Sequence, residues 1–322
     1  MVNAFTDTTA MANLVQTAYD RMVEFALRSQ PLFRSVADKR PAQQAMPGSS
    51  VVLQRYQDLS TATTPLSETV DPDAVAVGNP TTTSITLQEY GNAVLVTRKL
   101  DLFSLSDIDP AVANIVAYNL ADSVDVVVQT VLRGGSQFIR QNGDPSSTAP
   151  SYNTGTLAGI TNVSTFSSQA VRLGVAKLRA QKVWPRKGSL YWTAIHPEVS
   201  HDLRAETGNA AWRGPHEYSA PGNIWAGEIG EYEGSFFIET PRAYNAVDGG
   251  TGGNTVRVFR TYMAGQQALA EAVAEEFHVV VGPVVDKLMR QRPIGWYGVA
   301  GWSLYRPEAL IRIETTSSIN SA

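Results

Sequence analysis

A chain of 322 residues with 43% hydrophobic side chains is long enough for about two domains and a sizeable core. Its 26 basic and 30 acidic residues leave a net charge of −4, which excludes any global attraction to nucleic acid or to an anionic membrane, so a DNA contact would have to be local. The lack of cysteine excludes disulfides and cysteine-ligated zinc or iron–sulfur centres, and charged residues, at 17% against about 25% in typical domains, leave surface for protein contacts.

The opening Met1-Val2-Asn3-Ala4-Phe5-Thr6-Asp7 has neither the basic region nor the apolar run of a signal peptide. No stretch offers ~18 consecutive apolar residues. A soluble, non-exported chain without a membrane partner is expected. After Thr8-Thr9, the residues Met11, Leu14, Val15, Ala18, Met22, Phe25 and Ala26 recur at helical spacing until Pro31, which predicts an amphipathic helix on an N-terminal arm. Arg34–Met46 lacks that periodicity and is expected to run extended.

Between Ser50 and Val96 lies the least ordinary segment. A strand-like Ser50–Tyr56 and a returning strand Thr81–Val96 flank Gln57–Pro80, 24 residues rich in Ser, Thr, Pro and Asp. Structureless loops beyond ~12–15 residues are uncommon inside compact domains. This one carries Asp58, Glu68, Asp71 and Asp73 and no Lys or Arg, so it cannot fold back on itself by charge pairing, and its apolar residues are too few for a core. It needs another molecule to lie on.

Further along, Asp109-Pro110 provides an N-cap and first-turn proline, Gly134-Gly135 provides a stop, and Val112, Ile115, Val116, Leu120, Val124, Val127 and Val131 lie between. The spacing predicts one long helix over 111–132, a strut of roughly 33 Å. Gln141–Ser168 is polar; Ala170, Val171, Gly174, Val175 and Leu178 predict a shorter helix that ends near Trp184-Pro185. Strands are expected at Ser189–Ile195, Glu233–Thr240, Thr255–Tyr262, Glu276–Val281 and Gly301–Glu314, the last broken at Pro307, with a short helix after His196-Pro197. The fold class is α+β, with a second block inserted between a first block and its C-terminal strands.

Candidate chemistry is sparse. His196-Pro197-Glu198-Val199-Ser200-His201 puts two histidines five residues apart, whereas metalloprotease ligands sit at i and i+4 with the Glu beside the first His; Pro197 makes His196 a helix cap instead. His216 and His278 stand alone, and without a Gly-x-Ser-x-Gly elbow no hydrolase set forms. Gly249-Gly250-Thr251-Gly252-Gly253-Asn254 lacks the Lys-Ser/Thr of a phosphate loop and leads into a strand, so it reads as a turn. Lys182-Val183-Trp184-Pro185-Arg186-Lys187, with Arg290 and Arg292, forms short basic clusters of the solvated or ion-paired kind. Gly295-Trp296-Tyr297-Gly298-Val299-Ala300-Gly301-Trp302 reads as packed strands with aromatic residues, or as an aromatic interface anchor. No catalytic, cofactor-binding or metal residue is assigned.

This order of parts resembles the tailed-bacteriophage major capsid protein of the Hong Kong 97 type. Local strings are similar to the branch named after the coat protein of phage N-four: Glu89-Tyr90-Gly91-Asn92, Ile195-His196-Pro197-Glu198, Gly227-Glu228-Ile229-Gly230, Phe237-Ile238-Glu239-Thr240, Gln266-Gln267-Ala268-Leu269 and Arg306-Pro307-Glu308-Ala309-Leu310. The resemblance implies an N-terminal arm over 1–46 and an extended loop over 47–97. It further implies a peripheral domain over 98–185 with a spine helix at 111–132, an axial domain over 186–275, and C-terminal peripheral strands over 276–322.

On this reading Ile115, Val116, Leu120, Val124 and Val127 form the core face of the spine helix, and Glu68, Asp71 and Asp73 form the loop tip at a subunit interface. The implied function is a non-enzymatic coat subunit, assembled in the host bacterial cytoplasm into hexamers and pentamers of a virion shell. Implied partners are a portal, scaffolding or decoration proteins, and packaged double-stranded DNA bound without sequence specificity. Because the arm begins at once, a separate scaffolding protein or none is expected. An encapsulin-type nanocompartment and a monomeric hydrolase using His196 or His201 are the alternatives.

Overall fold

A computed structural model describes residues 31–41, 50–69, 71, 73–103, 108–206, 230–252, 255–284 and 286–319. The predicted N-terminal helix before Pro31, His216 and most of the loop Glu206–Asn223 lie outside the described residues. The elements in order are β1 (Ala37–Pro41), β2 (Ser50–Arg55), β3 (Thr81–Thr86), β4 (Gln88–Thr97), α1 (Arg98–Phe103), α2 (Ile108–Arg133), β5 (Phe138–Arg140), β6 (Ser151–Tyr152), α3 (Ser168–Ala180), β7 (Tyr191–Ile195), α4 (Pro197–Ala205), β8 (Gly230–Tyr232), β9 (Ser235–Glu239), β10 (Asn245–Gly249), β11 (Val256–Ala264), β12 (Leu269–Val281), β13 (Gln291–Leu304) and β14 (Leu310–Thr315). The class is mixed α+β, as read. Two compact units divide the chain: one includes Gly91–Leu120 and His278–Tyr297, the other Ser29–Tyr90, Ala121–Phe277 and Gly298–Ala322.

The larger unit is organised on a sheet of eight strands in the order β6-β5-β14-β11-β7-β9-β8, with β10 paired to β11. Strand β14 runs parallel to β5 and antiparallel to β11, while β7 runs antiparallel to β11 and parallel to β9. The sequence reading places Leu310–Thr315 with the peripheral strands; here it lies in the middle of this sheet. All of β7 and all of β11 except Arg257 is buried, the continuous burial expected of strands covered on both faces. Helix α3 packs on β14 and buries Ala170, Val171, Gly174, Val175 and Leu178, the five positions its periodicity marks. It stops at Ala180, four residues before Trp184, where Gln181 caps it and Lys182 takes a positive φ of 55°.

Helix α2 begins at Ile108 and is closed by Gly134 and Gly135, whose N–H groups donate to Val131 and Leu132. Its core face is displaced from the predicted one. Val116, Val124, Val128 and Leu132 are buried, Leu120 and Val127 are half-buried, and Ile115 is 46% exposed. The reason is geometric: at about 100° per residue, Ile115 lies ~180° from Val124, while Val128 and Leu132 share its side. Val112–Arg133 is long and apolar enough by length and composition alone to cross a membrane, although Asp122 and Asp125 interrupt it, so it is not a run of ~18 consecutive apolar residues. However, two carboxylates tie this helix into the larger unit. Asp125 is 1% exposed and accepts from Arg242 Nε at 2.9 Å, and Asp122 meets Arg242 Nη2 at 2.5 Å.

The predicted extended stretch after Pro31 is a 3₁₀ turn, Phe33–Val36, followed by β1. It is no free arm. Phe33 is fully buried, edge-on to Trp192 at 6.3 Å and Tyr262 at 5.8 Å, and the N–H groups of Leu32 and Phe33 donate to Asp125 Oδ1 at 2.9 and 2.6 Å. Strand β1 then pairs in parallel with β12, Ala37 opposite Leu269 through Pro41 opposite Val273.

Candidate assembly surfaces

The predicted hairpin forms between β2 and β3, in register from Ser50 opposite Thr86 to Arg55 opposite Thr81. The returning strand differs from the reading. It is two strands, β3 and β4, broken at Leu87, and β4 belongs to the four-stranded sheet ordered β1-β12-β13-β4. The hairpin foot is fixed. Ile85 is buried with Ala270 and Ala272, and Val51, Leu53, Leu87 and Tyr305 pack on them. A Cβ on Gly301 would stand 2.3 Å from the carbonyl oxygen of Thr86, so only glycine lets the foot approach that strand so closely. Arg55 adds an ion pair to Glu308 at 3.5 Å.

Beyond the foot, residues 56–80 form no strand or helix among the described residues, and their side chains are almost all exposed. Glu68, Asp71 and Asp73 are exposed and make no ion pair among the described residues. So are Tyr56, Leu59, Leu66, Val75 and Val77, of which Leu66 is 76% exposed. The acidic tip and apolar shaft are thus both left uncovered.

The platform beneath is locked by charge. Glu314 is 1% exposed and meets three guanidinium groups: Arg140 Nε at 2.6 Å, Arg312 Nε at 2.7 Å and Arg260 Nε at 3.4 Å. Arg260 also pairs with Asp248 and lies over the ring of Tyr244, and Arg312 Nη1 donates to the Arg133 carbonyl at the end of α2. Such pairing is what permits buried charge. Sequence reasoning missed this network because Arg260 and Arg140 lie 54 and 174 residues from Glu314.

No other site gathers chemistry. His196 is the N-cap of α4, its Nδ1 accepting from Glu198 N at 3.3 Å, with its ring 4.8 Å from Phe259. Burial holds its imidazole below the usual histidine range, against the opposing pull of Glu198 and Glu239. His201 is exposed beside Asp202. Among the described residues no group of three or more His, Cys, Asp or Glu could hold a metal ion. In the glycine-rich segment Gly249 ends β10 and residues 250–252 form a turn, while Gly253 and Asn254 lie outside the described residues. In the aromatic run, Trp302 stacks on Phe277 at 6.2 Å, and Trp296 Nε1 donates to Asn119 Oδ1 at 2.9 Å.

A closed, charge-locked platform carrying a long uncovered loop is the geometry of a structural subunit that completes itself against other molecules. The sequence profile of the phage capsid protein family matches residues 8–306, and the chain belongs to that family. No curated protein matches it. Among solved structures, it is similar to the capsid of Ralstonia phage GP4 at 15% identity and a TM-score of 0.71, with 98% of each chain covered. It is similar to the capsid of cyanophage P-SCSP1u at 14% identity and a TM-score of 0.70, covering 95% of this chain and 94% of that one. For the cyanophage Pam1 capsid the values are 12%, 0.69, 98% and 100%. At these identities the likeness is one of fold.

Proposed function

We propose that the chain is the major capsid protein of a tailed bacteriophage, which self-assembles into hexamers and pentamers of an icosahedral shell enclosing double-stranded DNA. The family match over residues 8–306 carries this reading, and the uncovered loop gives it a physical basis. The fold is of the Hong Kong 97 type, in the branch of the phage N-four coat protein. Residues 1–46 act as the arm, 47–97 as the extended loop, 98–185 and 276–322 as the peripheral domain around α2, and 186–275 as the axial domain. The subunit does no covalent chemistry. Individually modest contacts add through high effective concentration once several are made at once. Point-group closure selects finite particles over filaments.

On this reading Glu68, Asp71 and Asp73 meet a neighbouring subunit, and Val116, Leu120, Val124 and Val127 steady the spine. Portal, scaffolding or decoration proteins and packaged DNA are the further partners, and assembly takes place in the bacterial cytoplasm. Negative-stain images of the purified protein test the reading directly. Closed, uniform particles are expected; a lone 35-kDa body that persists at high concentration would overturn it. The encapsulin alternative is separated by cargo, an enzyme in place of DNA, and no comparison reported above favours it. Of the two histidines named for the hydrolase alternative, His196 serves as the helix cap of α4 and His201 is exposed beside Asp202.

A further inference from the structure

Among the described residues the carboxylates of the loop's acidic tip make no ion pair, and elsewhere in the larger unit a cleft is lined by an excess of basic side chains. A cleft of about 480 Å³ is lined by Ala37, Asp38, Lys39, Arg40, Arg186, Gln266 and Gln267. Lys39, Arg40 and Arg186 outnumber the single lining acid, Asp38, and Lys39 has Glu276 at 3.8 Å, with both side chains about two-thirds exposed. Arg186 uses one nitrogen, Nη2, for both Asp38 at 3.2 Å and the Ser35 carbonyl at 3.1 Å, while its Nη1 is buried without an acceptor. Arg40 lies over the Tyr305 ring at 5.1 Å, and its Nε is likewise buried without an acceptor. Both nitrogens are closed off inside the chain, so an anion entering the cleft meets the accessible part of the basic lining, chiefly Lys39, whose side chain is 69% exposed. On the lip, Gln266 N donates to the carbonyl of Trp184, whose side chain is 74% exposed. An exposed tryptophan beside a basic cleft is the composition of a binding anchor.

We infer that this cleft receives the acidic loop, residues 57–80, of a second copy of the chain. The inference rests on the capsid reading and names the surface that the loop engages. Charge complementarity argues for this occupant: the loop carries Asp58, Glu68, Asp71 and Asp73 with no base, in a chain of nearly balanced charge. Its exposed Leu66, beside Glu68, has a counterpart in Trp184. Reach is sufficient, since about 12 residues on either side of the tip extend up to ~40 Å. The carboxylates add charge-assisted partners for the accessible part of this basic lining, and Lys39 on the rim attracts the loop at longer range.

Zero-length carbodiimide coupling on assembled wild-type particles tests this without mutation, because it joins Lys39 Nζ to any carboxylate in contact, with loss of water. Peptides linking Lys39 to Glu68, Asp71 or Asp73, across subunits in particles mixed from light and heavy isotope, are expected. Lys39→Glu should slow assembly about tenfold, and adding Asp71→Lys should restore it. Loop carboxylates coupled to Lys99 or Lys287 instead, or to no lysine, would overturn the inference. So would normal assembly of Lys39→Glu with reduced DNA content, which would assign the cleft to phosphate. Failure of the wild type to form particles at all would instead remove the capsid reading.

Discussion

Glu314 and Asp71 are both carboxylates, and the two regions that hold them are opposites. Glu314 is enclosed by Arg140, Arg260 and Arg312 in the middle of the eight-stranded sheet; Asp71 is exposed, on a loop whose described residues are almost all exposed. Charge is satisfied internally in the sheet and left open on the loop, which on the proposed reading is where a partner is recruited. The same division holds for apolar side chains: Phe33 and Tyr262 are fully buried, while Leu59, Leu66, Val75 and Val77 are exposed.

Deletion of Leu59–Val77 breaks the comparison most severely. It should leave a folded subunit, as judged by an unchanged unfolding transition, and abolish regular shells; normal particles from this variant would remove the role given to the loop. Glu314→Gln attacks the other region. With three guanidinium groups left around a neutral amide, the unassembled subunit should lose about 3–5 kcal/mol in urea unfolding. A loss below ~1 kcal/mol would mean that the platform is not held by this network.

A smaller effect is expected at His196. Because burial depresses its folded-state pKa below the unfolded one, the unfolded chain binds the extra proton. The associated stability is therefore fully present above about pH 6.5 and lost as pH falls through the folded value. His196→Asn keeps a capping acceptor and removes the titration, so its urea midpoint should change less between pH 7 and pH 5 than that of the wild type. Smallest of all for the fold, Glu68→Gln with Asp71→Asn and Asp73→Asn should alter the stability of the unassembled chain by no more than ~0.5 kcal/mol, yet make assembly less sensitive to salt in light scattering. An unchanged salt dependence would detach the acidic tip from assembly.

What the sequence disclosed followed from local rules. The loop was legible because a run of Ser, Thr, Pro and Asp between two strand patterns has no other stable use, and the stop of α2 because Gly134-Gly135 is a chemical signal. The cap at His196 was legible from Pro197. What stayed hidden depends on distant partners. Phe33 and Val36 sit in a stretch without periodicity, and their burial is decided by Trp192, Tyr262 and Asp125. Arg312 and Glu314 alternate with Leu310, Ile311 and Ile313 as a solvent face would, but the sheet is covered on both sides. Of the candidate site, the unpaired carboxylates were readable, whereas the cleft of Lys39, Arg40 and Arg186 joins residues almost 150 positions apart and left no local trace.

The contact between Gly301 and Thr86 has a consequence for how copies in unlike surroundings adjust. Gly301 brings no side chain of its own to that joint, so the foot of the hairpin cannot tilt without lifting backbone off backbone and Ile85 off Gly301. Differences in angle between one neighbour and another must then be taken up past Arg55 and Thr81, in the slack of the untethered span, as a mooring line absorbs the swell while its cleat stays bolted to the deck.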